Sequence, residues 1–302
     1  MSLLGRSLAT ATSVVLAAAL AIPLGAATAA VDSTPTLVDI RAAHYPGYDR
    51  LVFEFAGGRP EAAKVRWIKD PRLDPSDKKA HVQGNAFLKV KFRGAMAHDP
   101  EPPAEPTFGP ARRAFDLPNV AHVVLLGDYE GVVTFAVGLM KRQPILKTIE
   151  LSRPYRLVIH VATAFPKGRV KVFFVDEQAL FDGEPQYVVA VDRKVPRGAR
   201  PKGAMQRLYA GPTEDELDRG LRFLASGTLG FRDLRVNDRG IARVTLKGPC
   251  NSGGAAEGTV ANQIMPTLRS RPAIDWVKIY DRAGDTLQPW GPRDSIPACL
   301  EP

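Results

Sequence analysis

Through the first half of the chain, apolar and polar residues alternate in short runs, the period of a strand with one buried face. Leu51, Phe53 and Phe55 fall on one side of residues 50–55, with Val52 and Glu54 on the other. Residues 37–43 lie ahead of them, across the turn-forming Pro46-Gly47-Tyr48-Asp49, and the two runs predict a hairpin. Further strands are predicted at 86–92, 120–126, 132–138, 147–151 and 155–161, each bounded by Gly, Pro, Asn or Asp. No long helical period separates them, so the series predicts an antiparallel sandwich or barrel. The run Asp99-Pro100-Glu101-Pro102-Pro103-Ala104-Glu105-Pro106 interrupts it. Prolines at this density cannot supply ladder N–H groups, which predicts an exposed, extended loop.

The pattern changes after a connector at 163–168. Residues 169–175 and 187–191 predict strands, the second so continuously apolar that a central place in a sheet is expected. Ala204, Leu208 and Tyr209 have helical spacing up to the stop signal Gly211-Pro212. Thr213 and Glu216 then form a capping box, with Leu217 and Leu221 on one helical face and Gly220 at the end. Residues 231–236 and 241–246 flank Asn237-Asp238-Arg239-Gly240 as a hairpin, Val260, Ile264 and Leu268 mark a helix, and 274–280 a closing strand. The expectation is two domains: an all-β sandwich over 36–164 and an α+β domain over 169–302.

The amino end changes where this protein is expected to work. Arg6, an apolar run from Ala11 to Leu24 and the small residues Ala27-Thr28-Ala29-Ala30 follow the order of a signal peptide over residues 1–30, which predicts export. Pro23 and the alanine-rich composition make that run a poor membrane span, and no later stretch is apolar enough for one. No cysteine follows the cleavage region to carry a lipid. The formal charge of +9 is spread evenly over both halves. Nucleic-acid binders concentrate theirs in a stripe, so anionic wall polymers or lipid head groups fit better. The two cysteines, Cys250 and Cys299, stand apart from the five histidines His44, His81, His98, His122 and His160, all in the other half. That separation favours a disulfide in an exported chain over a catalytic thiol.

No nucleophile elbow, zinc-binding helix or phosphate-binding loop is present, so the reading is non-enzymatic, without metal or organic cofactor. His98 beside Asp99 and Glu101 lies in the proline-rich loop and reads as loop surface; His160 reads as a core or edge histidine. Two candidates for binding remain. Arg193, Lys194, Arg197, Arg200 and Lys202 concentrate positive charge in one stretch, a candidate anion-binding loop. Arg41, His44, Tyr45, Tyr48 and Arg50 surround the first hairpin, where aromatic faces and flanking cations suit sugar rings.

Arg50-Leu51-Val52-Phe53-Glu54-Phe55 and Arg153-Pro154-Tyr155-Arg156-Leu157-Val158-Ile159-His160-Val161 resemble the AMIN-like domain family. The resemblance implies a small β-sandwich of an exported bacterial protein that binds peptidoglycan or envelope machinery. Leu208-Tyr209-Ala210-Gly211-Pro212-Thr213 with Glu216 and Gly220-Leu221, preceded by Val191-Asp192-Arg193-Lys194-Val195-Pro196, resembles the GerMN family, named for spore germination. It implies a compact α+β domain without known catalysis, used for assembly or regulation at the cell surface. The expected function is a secreted envelope protein that contacts peptidoglycan or an anionic wall polymer. The alternatives are a subunit docking to an envelope protein complex and a wall hydrolase of unrecognised type.

Overall fold

The computed structural model describes residues 34–253 and 258–301, so the signal sequence expected in residues 1–30 lies outside the described residues. Strands β1 (Thr36–Tyr45) and β2 (Tyr48–Ala56) form the first hairpin. Tyr45 pairs directly with Tyr48, which narrows the turn to Pro46-Gly47, and Gly47 sits at φ 91°, a conformation that suits a residue without Cβ. There follow β3 (Ala62–Ile68), β4 (Ala86–Arg93), β5 (Arg112–Ala114), β6 (Val120–Tyr129), β7 (Val132–Leu139), β8 (Ile145–Leu151) and β9 (Tyr155–Ala162). They form two antiparallel sheets, ordered β1-β2-β9-β8 and β3-β4-β7-β6-β5.

The inward sides of both sheets share one core, which makes this half a sandwich. Phe53 from the first sheet lies 5.5 Å from Phe92 and 5.3 Å from Phe135 of the second, ring centre to ring centre. Strands β3 and β5 are additions to the sequence reading. Each lies at an edge of its sheet, and β3 alternates only half-buried apolar positions with exposed ones, so its period is faint. The proline-rich segment is a loop tied at its base: Asp99 N–H donates to Glu105 O at 2.8 Å, and Phe108 is buried edge-on against Phe135.

The second half comprises β10 (Lys167–Asp176), α1 (Glu177–Phe181), β11 (Val188–Pro196), α2 (Arg200–Ala210), α3 (Glu214–Asp218), β12 (Leu221–Arg222), β13 (Gly230–Val236), β14 (Ile241–Lys247), α4 (Val260–Arg269) and β15 (Trp276–Tyr280). Its sheets are β11-β10-β12 and β13-β14-β15, with α2 and α4 packed against each other and against β10. β14 and β15 run parallel, joined through α4 as a parallel pair requires. Two expectations are corrected here. The apolar run at 187–191 belongs to an edge strand: β10 takes the central place, sending Val170, Val172 and Phe174 into the core, while Val189 on β11 is 38% exposed. Leu221 does not share the helix of Leu217, because α3 stops at Asp218 and Gly220, at φ 84°, turns the chain into β12.

Cys250 and Cys299 are joined in a disulfide with Cα atoms 5.6 Å apart, fastening the C-terminal segment beside β14. The two halves form one compact unit. Ala121 and Met140 of the sandwich belong to the core of the second half, and Arg207 on α2 is buried with its guanidinium against carbonyls of both. Nearby, Arg113 of β5 reaches Asp39 Oδ1 at 2.9 Å and also pairs with Glu214 of α3.

Candidate functional site

Strand alternation decides which side chains leave the sandwich. On β2, Asp49, Leu51, Phe53 and Phe55 turn inward, which sends Tyr48, Arg50, Val52 and Glu54 outward. On β9, Leu157, Ile159 and Val161 turn inward, sending Arg156, Val158 and His160 outward. The register places Arg50 opposite His160, and His160 opposite Lys147 of β8. The outer face of the first sheet therefore carries a row of rings. Tyr45 stacks on Tyr48 with centres 5.3 Å apart and planes 11° from parallel; Tyr48 stacks on His160 at 4.4 Å and 24°.

Cations frame this row. Arg41 is engaged by Asp39 at 2.7 Å and Glu54 at 2.5 Å, whereas Arg50, Lys147 and Arg156 form no ion pair among the described residues. Val52 and Val158, side by side on this face, are 5% and 1% exposed yet belong to neither core. The Nε atoms of Arg50 and Arg156 are buried and lack a hydrogen-bond partner. Both observations fit arginine stems lying over the valines with charged heads at the rim. Burial, then Arg50 and Lys147, lower the His160 pKa below the usual histidine value, so at neutral pH the ring is an uncharged platform.

The structure divides the residues expected around this hairpin. Tyr45, Tyr48, Arg41 and Arg50 share the outer face; His44 does not. Its Nδ1 lies 2.8 Å from Asp49 Oδ1, and the buried Asp49 accepts the backbone N–H groups of Asn119 at 2.7 Å and Val120 at 2.9 Å. His44 thus serves a structural carboxylate. His160, Lys147 and Arg156 are the members that sequence reasoning missed. The alternation of residues 155–161 was legible, but their neighbourhood with Tyr48 depends on β2 pairing with β9 across about a hundred residues of chain.

The expected anion-binding loop also separates. Arg193 is 2% exposed: Nη1 donates to Glu216 Oε1 at 2.7 Å, Nη2 to Oε2, and its charge lies over the Phe174 ring. Such a bidentate pair answers the charge internally and leaves none for a ligand. Lys194 is engaged with Asp116, whose Oδ2 lies 3.3 Å from Nζ. Arg197 and Lys202 remain exposed and Arg200 half-buried, with Lys202 facing a separate cleft. His98 is not loose loop surface: its Nδ1 lies 2.5 Å from Asp128 Oδ2, a carboxylate that also accepts Ala97 N–H at 2.7 Å. Among the described residues, no group of three or more His, Cys, Asp or Glu side chains is placed to hold a metal ion.

No curated protein and no solved structure matches the chain. Residues 35–163 match the family model of the AMIN-like domain, and residues 171–284 match the Germane model, described as sporulation and spore germination. The sandwich with its ring-bearing outer face is thus an AMIN-like domain, and the α+β half that follows it is a Germane domain of the GerMN type.

Proposed function

We propose that this protein is an exported, non-catalytic cell-envelope module that binds the glycan strands of peptidoglycan on the outer face of β1, β2, β9 and β8. The observation that carries the reading is the stacked row Tyr45–Tyr48–His160 with uncommitted Arg50 and Lys147 beside it. Aromatic faces pack on the apolar faces of sugar rings, and the cations meet carboxylates of lactyl and peptide groups. The AMIN-like match supports an envelope location for such a surface.

The test is co-sedimentation of the mature protein with purified sacculi, before and after acid removal of anionic polymers. Binding is expected to survive acid treatment and to fall about tenfold in the double variant Tyr45→Ala with Tyr48→Ala, at unchanged melting temperature. Binding that disappears with the acid-labile polymer, or is indifferent to both tyrosines, would sink the glycan reading. One feature favours the second reading, a subunit of an envelope assembly: Phe181 and Trp290 stand 86% and 83% exposed. Oligomers that persist at high salt and dissociate in Trp290→Ser would support it.

A further inference from the structure

A second concave surface lies where the excursion between β3 and β4 meets α2 and the β13–β14 hairpin. It encloses about 490 Å³ and gathers Lys79 and His81 from the AMIN-like domain with Lys202, Gln206, Arg232 and Lys247 from the Germane domain. It uses none of the residues of the ring-bearing face. Its charge balance is uneven. Four basic side chains, Lys79, Lys202, Arg232 and Lys247, line it against two carboxylates, Asp70 and Asp233. Asp233 Oδ2 lies 3.7 Å from Arg232 Nε, while Lys79, Lys202 and Lys247 form no ion pair among the described residues.

The cations are close enough to feel one another. Burial, then Lys79 and Arg232, pulls the Lys247 pKa below the usual lysine value, with Lys202 adding to the effect. Burial, then Arg112, Lys79 and Lys247, lowers that of His81. Unanswered like charges in a concavity repel, and an anion entering it relieves that repulsion. The backbone is shaped to the same end. The wall formed by residues 229–234 is not regular strand: the register shifts at a bulge between Arg232 and Arg235, and Asp233 sits at φ 52°. Gly230, at φ 145°, passes Gln83 so closely that a Cβ would lie 3.3 Å from its amide nitrogen, and its missing side chain leaves the cleft open.

We infer that this cleft between the two domains binds a phosphate-bearing anion with at least two negative charges, as a pyrophosphate or as adjacent phosphodiesters of a polyol-phosphate chain. Ammonium groups on flexible stems act as point charges that suit phosphate oxygens, and two charges restore the balance the lining lacks. A concavity admits a chain or a terminal group rather than a flat bilayer surface. Because the two domains supply opposite walls, the ligand would bridge them.

The test is calorimetric titration of the mature protein with inorganic pyrophosphate and with a short poly(glycerol phosphate). Saturable binding to at least one is expected, with affinity lowered about tenfold in Lys202→Gln with Lys247→Gln and also lowered in Lys79→Gln. The control Lys64→Gln with Lys167→Gln, which removes the same charge elsewhere, should stay within about twofold. Pyrophosphate binding alone would assign a terminal group, and polymer binding alone a chain. An equal loss in the control pair, no saturable binding in a folded protein, or binding only to phosphatidylglycerol vesicles would overturn the inference. The Tyr45→Ala with Tyr48→Ala variant should keep its phosphate affinity, so that failure here and failure of the glycan reading are separable.

Discussion

Arg207 Nη1 on α2 donates to the carbonyl oxygen of Phe115 at 2.8 Å, tying the Germane domain to the AMIN-like domain through a guanidinium that is 1% exposed. The same group donates to Lys194 O at 3.0 Å and also to Leu117 O. Burial lowers its pKa to about 10 against the pull of Asp116, so it is cationic at neutral pH. Arg207→Met keeps much of the volume and removes the donors, leaving several carbonyls unanswered. A loss of about 3 kcal/mol or more is expected in urea denaturation, with the single transition splitting into two as the domains uncouple. An unchanged midpoint would mean the guanidinium does not hold the seam.

Glu216 has two duties. Its carboxylate accepts Thr213 N–H at 2.9 Å, closing the capping box of α3, and it answers the buried Arg193. Glu216→Gln keeps a cap acceptor and leaves the cation unpaired, which should cost about 3 kcal/mol because an uncompensated buried charge remains. Arg197→Gln, on an exposed side chain of the same basic run, should stay within about 0.5 kcal/mol in the same denaturation series. Equal costs at the two positions would contradict the division of that run into buried and exposed members.

His122 is fully buried, with Nδ1 3.2 Å from Arg112 Nη1 and Nε2 2.7 Å from Gln83 N. Arg112 can only donate, so Nδ1 must offer its lone pair, and the Nε2–H then donates to Gln83 O at 3.1 Å. Burial, then Arg112, holds its pKa well below the usual histidine value of 6.5. The unfolded chain therefore takes up this proton first, and stability should fall as pH drops below about 6.5. His81 and His160, also lowered, act in the same direction. Melting temperature against pH should show this slope, and His122→Gln should flatten it between about pH 6.5 and 5. An unaltered slope in the variant would assign it to other groups.

The sequence patterns carried the element types further than the element neighbours. The alternation of Leu51, Phe53 and Phe55 and the Thr213–Glu216 box announced a strand and a helix start, and both are present. Local patterns do not say which strand a given strand will pair with, and that hid the row Arg50–His160–Lys147 and the place of β11 at an edge. Charge density along the chain misled for a related reason. Arg193 and Lys194 look alike in a basic run, but strand alternation buries one against Glu216 and turns the other to Asp116. The cations of the cleft, Lys79, Lys202, Arg232 and Lys247, come from distant segments, so no window of sequence contains them together.

The Cys250–Cys299 bond spans 49 residues, and in the chain-entropy picture a loop of that size stabilises by on the order of 4 kcal/mol. Its effect should be local in the native state. Leu300, 1% exposed beside Cys299, packs into the second core, and the segment before it lies along β15, where Ile279 N–H donates to Ser295 O at 2.9 Å and Ser295 N–H to Val277 O at 3.0 Å. Without the bond, those contacts remain, together with the Arg269–Asp294 ion pair and the donation of Val277 N–H to Asp294 Oδ1 at 2.9 Å, all of them non-covalent. In Cys250→Ala with Cys299→Ala, hydrogen exchange at the amides of Ile279 and Ser295 should accelerate by more than the drop in global stability explains, because local detachment becomes the easier route. The amides of Phe53 and Leu157, deep in the sandwich and paired with each other across β2 and β9, should follow the global change alone. A uniform acceleration at all four amides would show that the bond acts on the unfolded chain and not on the anchoring of this segment.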